Sequence, residues 1–526
     1  MKDVKTEKGI GRRAFLGASA VGTGAIVAGL ASPQPAGAQA ARPAPQVDFP
    51  EDPRAFGGGG AAAGAVNRTE MDLVDCEVEG DWPVDLDGAF YRVGPDPQYP
   101  KAPQWVGDIP FDGEGHVSMF RIKDGHVDYR TRYARNQRWK AQREARKSLF
   151  GMYRNPPTDD PSVEGLSRGT ANTQLFVHHG KLLVYKEDSP PVVMDPLTLE
   201  TLDDYYTFGG ALESETHTAH PKIDPLTGEY IGFGYEASGF LSKDVNVFSA
   251  NRDGTITWSV TVEAPYAGMM HDFCVTQDYV VLYLTNMVAD PDIIAAGGPH
   301  FAYDGTVPCY LGVLRRGGDG SDIRWMTGPN LFCTHVMGGW NEGTRITVDM
   351  DGGEGNQFPF FPSKHGGFDP QAAIGRIRRF TVDLANPANT YRAETIFPEI
   401  TGVLSRQDDR YHTLPYRYGF LLATGPGGGW AVIDHQTGTS RVLSVPGYSL
   451  SEMCFVPRSK DAPEGDGYLI GIGSSVEDAG RSDLILFDLQ SGSDEPRARV
   501  RMPFKCVGQV HGFWADASDI AGASQG

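Results

Sequence analysis

Short apolar runs, each closed by an aspartate and a tight turn, recur along this chain. Val192-Val193-Met194-Asp195-Pro196-Leu197-Thr198, Ala431-Val432-Ile433-Asp434-His435-Gln436-Thr437-Gly438 and Leu484-Ile485-Leu486-Phe487-Asp488-Leu489-Gln490-Ser491-Gly492 share this form, and Asp224-Pro225-Leu226-Thr227-Gly228 repeats the turn. Such runs are too short for helices and read as buried strands. The aspartate carboxylate caps the turn, and glycine takes the positive φ that closes a hairpin. Further strand candidates at 280–284 and 468–472 stand at spacings suited to four-stranded blades. The pattern predicts an all-β protein folded as a β-propeller, with an array of β-sandwiches as the competing architecture. A propeller has a central axis where single residues from different blades can meet, which a sandwich lacks.

Composition narrows the class. Of 526 residues, 66 are Gly and 37 are Pro, which excludes helical bundles and coiled coils. Hydrophobic residues make up 40% and aromatics 10%, enough for a large core, so the breakers are turns rather than a sign of disorder. A net charge of −20 argues against nucleic acid or an anionic membrane as partner. Six cysteines without a CxxC pair make no disulfide scaffold.

The amino terminus reads as an address. Gly11-Arg12-Arg13-Ala14-Phe15-Leu16 opens a weakly apolar run to about Ala31, and Ala38-Gln39-Ala40 supplies a small-x-small cleavage pattern. Residues 1–40 are therefore expected to be a twin-arginine signal peptide, with a basic N-terminal helix or membrane anchor as the alternative. That route moves folded proteins, which suits one that loads a metal first, and places the protein in the periplasm or otherwise outside the cytoplasm. A Pro/Ala/Gly stretch over 41–70 reads as a flexible linker, and 71–526 as one folded domain. Loss of 1–40, with five basic and two acidic side chains, takes the charge to about −23. No other segment is long and apolar enough to span a bilayer, so no stable membrane insertion is expected.

Four of the 13 histidines stand out by context: His220 in Ala219-His220-Pro221-Lys222, His271 in Met270-His271-Asp272-Phe273, His335 in Cys333-Thr334-His335-Val336, and His511 in Val510-His511-Gly512-Phe513-Trp514. Their neighbours are mostly apolar, aromatic or small, as around buried imidazoles. Neutral imidazoles with no thiolate or carboxylate suit Fe(II), Cu or Zn. None shows the short spacing of a local zinc site, and each alone could be an ordinary core histidine. Spacing does not join them. His271-Asp272 could begin a two-His-one-carboxylate site, but adjacent strand residues point to opposite faces. Cys274 and Cys333 read as small packing residues.

Over roughly 75–515 the sequence resembles the carotenoid cleavage oxygenases, through Ala219-His220-Pro221-Lys222-x-Asp224-Pro225, His271-Asp272-Phe273-x-x-Thr276, a mid-chain His335 and His511-Gly512-x-Trp514. The resemblance implies a seven-bladed β-propeller, with loops and short helices forming a cap over an axial Fe(II) held by His220, His271, His335 and His511. His217 matches no ligand position and is left to channel or packing. The resemblance also implies glutamates behind three of the ligands. Glu187 and Glu452 match two of them, and Glu399 is chosen as the third by setting the register on Arg406; aligning on Phe397-Pro398 would put Ile396 there instead.

Ala145 to Gly165, Gly312 to Gly317, Asp322 to Trp325 and Asp461 to Leu469 look like the isoeugenol-cleaving and lignostilbene-cleaving branch. That branch implies that Tyr153 and Lys186 bind the 4-hydroxyl of a small phenolic alkene, which is cleaved with O2 into two carbonyl products. An ammonium or phenol donor favours the phenolate, and its charge enriches the conjugated alkene. Because Lys186 and Glu187 are adjacent on a predicted strand, their side chains should diverge, one toward the substrate and the other behind a ligand. Apocarotenoid cleavage on the same fold, and a non-catalytic ligand-binding propeller, are the alternatives.

Overall fold

A computed structural model describes residues 67–521, apart from Val106, Gly107, Pro426 and Ala479. The expected signal peptide, 1–40, lies outside the described residues, as does the expected linker up to 66. Its last four positions correct the predicted boundary. Asn67 N and Arg68 N donate to the Asp96 carboxylate (2.8 and 2.6 Å), and Glu70 pairs with Arg135 at 2.5 Å. These bonds fasten 67–70 to the folded domain.

Seven antiparallel sheets of four or five strands and one two-stranded hairpin account for the strands among the described residues. The sheets follow one another in sequence as propeller blades, and a strand from near each end of the described residues closes the ring. His511–Asp516 adds to the first blade beside Gly88–Pro95, while Glu77–Gly80 adds to the last blade beside Ala498–Arg501. Phe90, Phe120 and Tyr129 of the first blade pack against Ile470, Leu484, Leu486 and Val500 of the last, all buried. Burial of both faces of the inner strands, such as Tyr230–Tyr235, Tyr279–Leu284 and Ser482–Asp488, explains why these read as continuous apolar runs rather than as alternating ones.

The predicted turns are present. Asp195 accepts from Leu197 N and Thr198 N, Asp224 from Leu226 N, Asp434 from Gln436 N, and Asp488 from Gln490 N, all within 3.0 Å. Gly228 and Gly438 take φ of 73° and 68°, a region closed to most side chains.

Helices are few. Gln137–Ala145 is capped by Asn136, whose side-chain oxygen accepts from Trp139 N, and Pro291–Ala295 by Asp290. Asn155 ties the second helix to the 150s loop by donating to Ile294 O and Gly298 O (2.9 and 2.7 Å). Lys101, paired with Asp108 and Asp112, binds the 101–112 loop to the carbonyls of Phe150 and Gly151. No helix among the described residues is long and apolar enough to cross a membrane.

Buried histidines outside the axis make the fold acid-sensitive. Burial holds His178 and His217 down to about 4, and pushes His116, His300 and His435 down as well. In the unfolded state they would protonate near 6.5, so their contribution is complete above that pH and is lost as pH falls toward 4. Asp108, raised to about 6 by burial and by Asp112, works the other way, as do Asp408, Glu464 and Asp519, each raised by burial, but the buried histidines carry the larger shifts. Stability should therefore drop steeply between pH 6.5 and 4, with about 3 kcal/mol each from His178 and His217. Denaturant midpoints measured across that range check this; a flat profile would contradict it.

Candidate metal centre

Four strands at the sheet edges nearest the axis carry the chemistry. Lys222–Ile223, Phe273–Val275, Phe332–Glu342 and His511–Asp516 are each the terminal strand of their sheet, and His220, His271, His335 and His511 lie on or just before them. One ring nitrogen from each converges, and the four atoms lie within 4.8 Å of one another. His271 Nε2 is 3.2 Å from both His220 Nε2 and His335 Nε2. The Nε2 of His511 is buried and has no hydrogen-bond partner.

This arrangement fits a first-row metal ion. Metal–nitrogen bonds of about 2.1 Å put neighbouring ligand atoms about 3.0 Å apart. These four nitrogens, on three buried rings and one partly buried ring, face one another and are otherwise mutually unsatisfied. Burial, then the neighbouring His511, His271 and His335, keep His220 well below its usual pKa; burial likewise depresses His511. Both rings thus stay neutral, the state a metal requires.

Carboxylates set the tautomers. His271 Nδ1–H donates to Glu187 at 2.6 Å and His511 Nδ1–H to Glu452 at 3.0 Å, leaving both Nε2 lone pairs toward the centre. Glu187 and Glu452 are buried, yet both are held below the usual carboxylate range: burial opposes this, but Lys186 and His271 outweigh it for Glu187, and His511 and Arg406 for Glu452. Glu452 also accepts from Gly512 N at 2.7 Å.

The third glutamate is a correction. Glu399 is an exposed residue that accepts from Ser440 Oγ, and Ile396 is not a carboxylate. Asp351 is the acid near His335: it lies 3.6 Å from His335 Nδ1 and accepts from Thr334 Oγ1 (2.9 Å) and Ser405 N (2.8 Å). The cause is local. Cys333 pairs with Gly352 and Val336 with Met350, so Thr334 and His335 together face Asp351 in a bulge.

Lys186 and Tyr153 meet. Lys186 Nζ lies 5.1 Å from the centre of the Tyr153 ring and 5.8 Å from that of Phe111, and all three belong to one aromatic wall. Phe111 packs on Phe360 (5.1 Å), Tyr153 on Phe361 (5.8 Å), and Phe358 lies 6.4 Å from the His271 ring. Burial, then the Glu187 charge, push the Tyr153 phenol well above its usual pKa, so it stays a neutral donor. The expected divergence of Lys186 and Glu187 does not occur: Nζ is 3.4 Å from Glu187 Oε2. The strand ends at Lys186 after a register shift between Val184 and Lys186, so strict alternation is lost there.

Other expectations resolve simply. His217 is a packing residue: it donates to Thr218 O, accepts from Tyr230 OH and lies against Tyr185 and Phe208. Asp272 bonds to Lys222 and to the backbone instead of joining the histidines. Cys274 and Cys333 are buried and unpaired. Sequence patterns alone do not reveal Phe111 or Asp351, whereas the Phe358-Pro359-Phe360-Phe361 cluster has a visible signal, an aromatic run in a Gly/Pro-rich stretch.

The sequence profile of the family described as "Retinal pigment epithelial membrane protein" matches residues 64–516. The protein is similar to lignostilbene-alpha,beta-dioxygenase isozyme III of Sphingomonas paucimobilis, 42% identical over 476 residues that cover 86% of this chain and 96% of the relative. It is similar to isoeugenol monooxygenase of Pseudomonas putida, 38% identical with 85% and 95% covered. Among solved structures, lignostilbene dioxygenase of Pseudomonas brassicacearum superposes with a TM-score of 0.83 at 36% identity, covering 90% of this chain and all of that one.

Proposed function

Since this protein belongs to the carotenoid cleavage oxygenase family, we propose that it is a non-haem Fe(II) oxygenase that cleaves the exocyclic carbon–carbon double bond of a 4-hydroxyphenyl propenoid or stilbene. The reaction consumes O2 and leaves two carbonyl products. The observation that carries this reading is a buried Lys186 ammonium beside Tyr153, in an aromatic wall that reaches the four-histidine cluster. A carotenoid has no phenol for such a pair to hold.

His220, His271, His335 and His511 would hold the iron, which would supply dioxygen activation. The protein's own residues prepare the substrate. Lys186 donates to the phenol oxygen and stabilises its negative charge, and the neutral Tyr153 hydroxyl offers a second donor. Phe111, Phe358, Phe360 and Phe361 exclude water and hold the ring in place. Glu187 keeps His271 in the ligand tautomer while sharing the charge of Lys186. Export by the twin-arginine route belongs to the same reading, because that route carries proteins folded around their metal.

Purified, iron-loaded protein should be offered isoeugenol, a 4-hydroxystilbene and an apocarotenal, with and without oxygen. The phenols should yield aromatic aldehydes only with oxygen, at rates at least about tenfold above the apocarotenal, the worth of one good polar contact. Faster cleavage of the apocarotenal would overturn the substrate assignment.

A further inference from the structure

The strand ladders run within blades, with isolated bridges such as Thr276–Thr413 and Thr327–Thr390 between them, so the ladders alone do not set one axial strand against the next. The iron ligands nevertheless come from four blades, and their relative placement needs ties between blades. Glu187 and Glu452 each serve one imidazole. Asp272 touches no imidazole, yet its carboxylate spans three ligand segments. Oδ1 accepts from Lys222 Nζ at 2.8 Å and from Phe273 N at 2.7 Å, and Oδ2 accepts from Val336 N at 2.8 Å. Lys222 lies two residues after His220, Asp272 and Phe273 follow His271, and Val336 follows His335. Lys222 and Asp272 are buried, at 9% and 5% exposure, on the wall of a polar recess of about 60 Å³ that His220, His335 and His511 also line. Phe111, Tyr153 and Lys186 do not line that recess, so the pair stands apart from the aromatic wall.

We propose that Asp272, neutralised by Lys222, is a positioning residue that locks His220, His271 and His335 into one coordination geometry by joining three blades through a single carboxylate. Lys222 has two parts in this: it carries the tie to the His220 segment, and it makes a buried carboxylate tolerable. The proposal rests on the Fe(II) reading of the cluster.

The test uses the full-length protein, iron-loaded, as wild type, Lys222→Met, Lys222→Arg and Asp272→Asn. Iron release to a chelator and the electron paramagnetic resonance spectrum of the nitric oxide adduct are recorded beside the thermal midpoint. Lys222→Met and Asp272→Asn should release iron about 10- to 100-fold faster and change the rhombicity of the nitrosyl signal, while Lys222→Arg stays near wild type. If Asp272→Asn does not fold, Lys222→Met decides, because it leaves both backbone donors on Asp272. Wild-type release and spectrum in Lys222→Met would overturn the proposal. Failure of both variants to fold would also overturn it, by assigning the pair to the fold. A wild-type protein that takes up no iron would sink the Fe(II) reading itself.

Discussion

Replacing Lys186 by methionine should lower kcat/KM for a 4-hydroxylated alkene about 10- to 100-fold, toward the value for its 4-methyl ether, which itself changes little. The size follows from one charge-assisted hydrogen bond to a charged group, worth about 1.5–3 kcal/mol, at about 1.4 kcal/mol per decade of rate. Methionine keeps the length and apolar stem of the lysine, so the contacts with Phe111 and Tyr153 survive in part. The ammonium also lies 3.4 Å from Glu187 Oε2, so its loss leaves that buried oxygen without a countercharge. The methyl ether is the control that separates the two effects: damage through Glu187 and His271 slows both substrates alike, whereas loss of phenol recognition slows only the phenol. Equal losses on both, with iron content intact, would remove Lys186 from substrate recognition.

The contrast between Lys186 and Glu399 shows where the sequence is legible and where it is not. The blades can be read because several strands are short apolar runs ended by an aspartate whose carboxylate closes the turn on its own neighbours; that information is local. The four ligands sit in local motifs as well, and the closed ring brings those motifs together. What cannot be read depends on bulges. Thr334 and His335 share one partner position opposite Asp351, Ser451 and Glu452 lie in the register shift between Leu450 and Met453, and Leu404 and Ser405 in that between Val403 and Arg406. Each bulge re-aims an axial residue by an amount set by the neighbouring strand. A carboxylate from the next strand, such as Asp351, therefore has no fixed offset from its histidine. Glu452 is legible because its motif includes the bulged residue itself; Glu399, reached by counting from Arg406 across the shift between Val403 and Arg406, falls on the surface. The same effect brings Lys186 and Glu187 together where alternation would part them.

Removing the His271 imidazole should have the largest effect of any single change. His271 has the shortest carboxylate bond in the cluster and lies 3.2 Å from two other ligand nitrogens, so His271→Ala opens the centre and leaves three nitrogens to hold the metal. Oxygen-dependent cleavage of every substrate should fall by more than about 1000-fold, since the metal supplies the chemistry, and iron content after dialysis should fall with it. The fold should persist, because the Glu187 carboxylate left behind still faces the Lys186 ammonium and is not buried unpaired. Glu187→Gln gives the graded counterpart. It keeps the imidazole but replaces a charged acceptor by a neutral one, so iron affinity should weaken about 10- to 100-fold and activity should return when iron is supplied in excess. His271→Ala should not recover under the same excess. Recovery of His271→Ala with added iron would mean that three histidines suffice for the chemistry, and loss of activity in Glu187→Gln that excess iron does not repair would move Glu187 from orienting a ligand to the reaction itself.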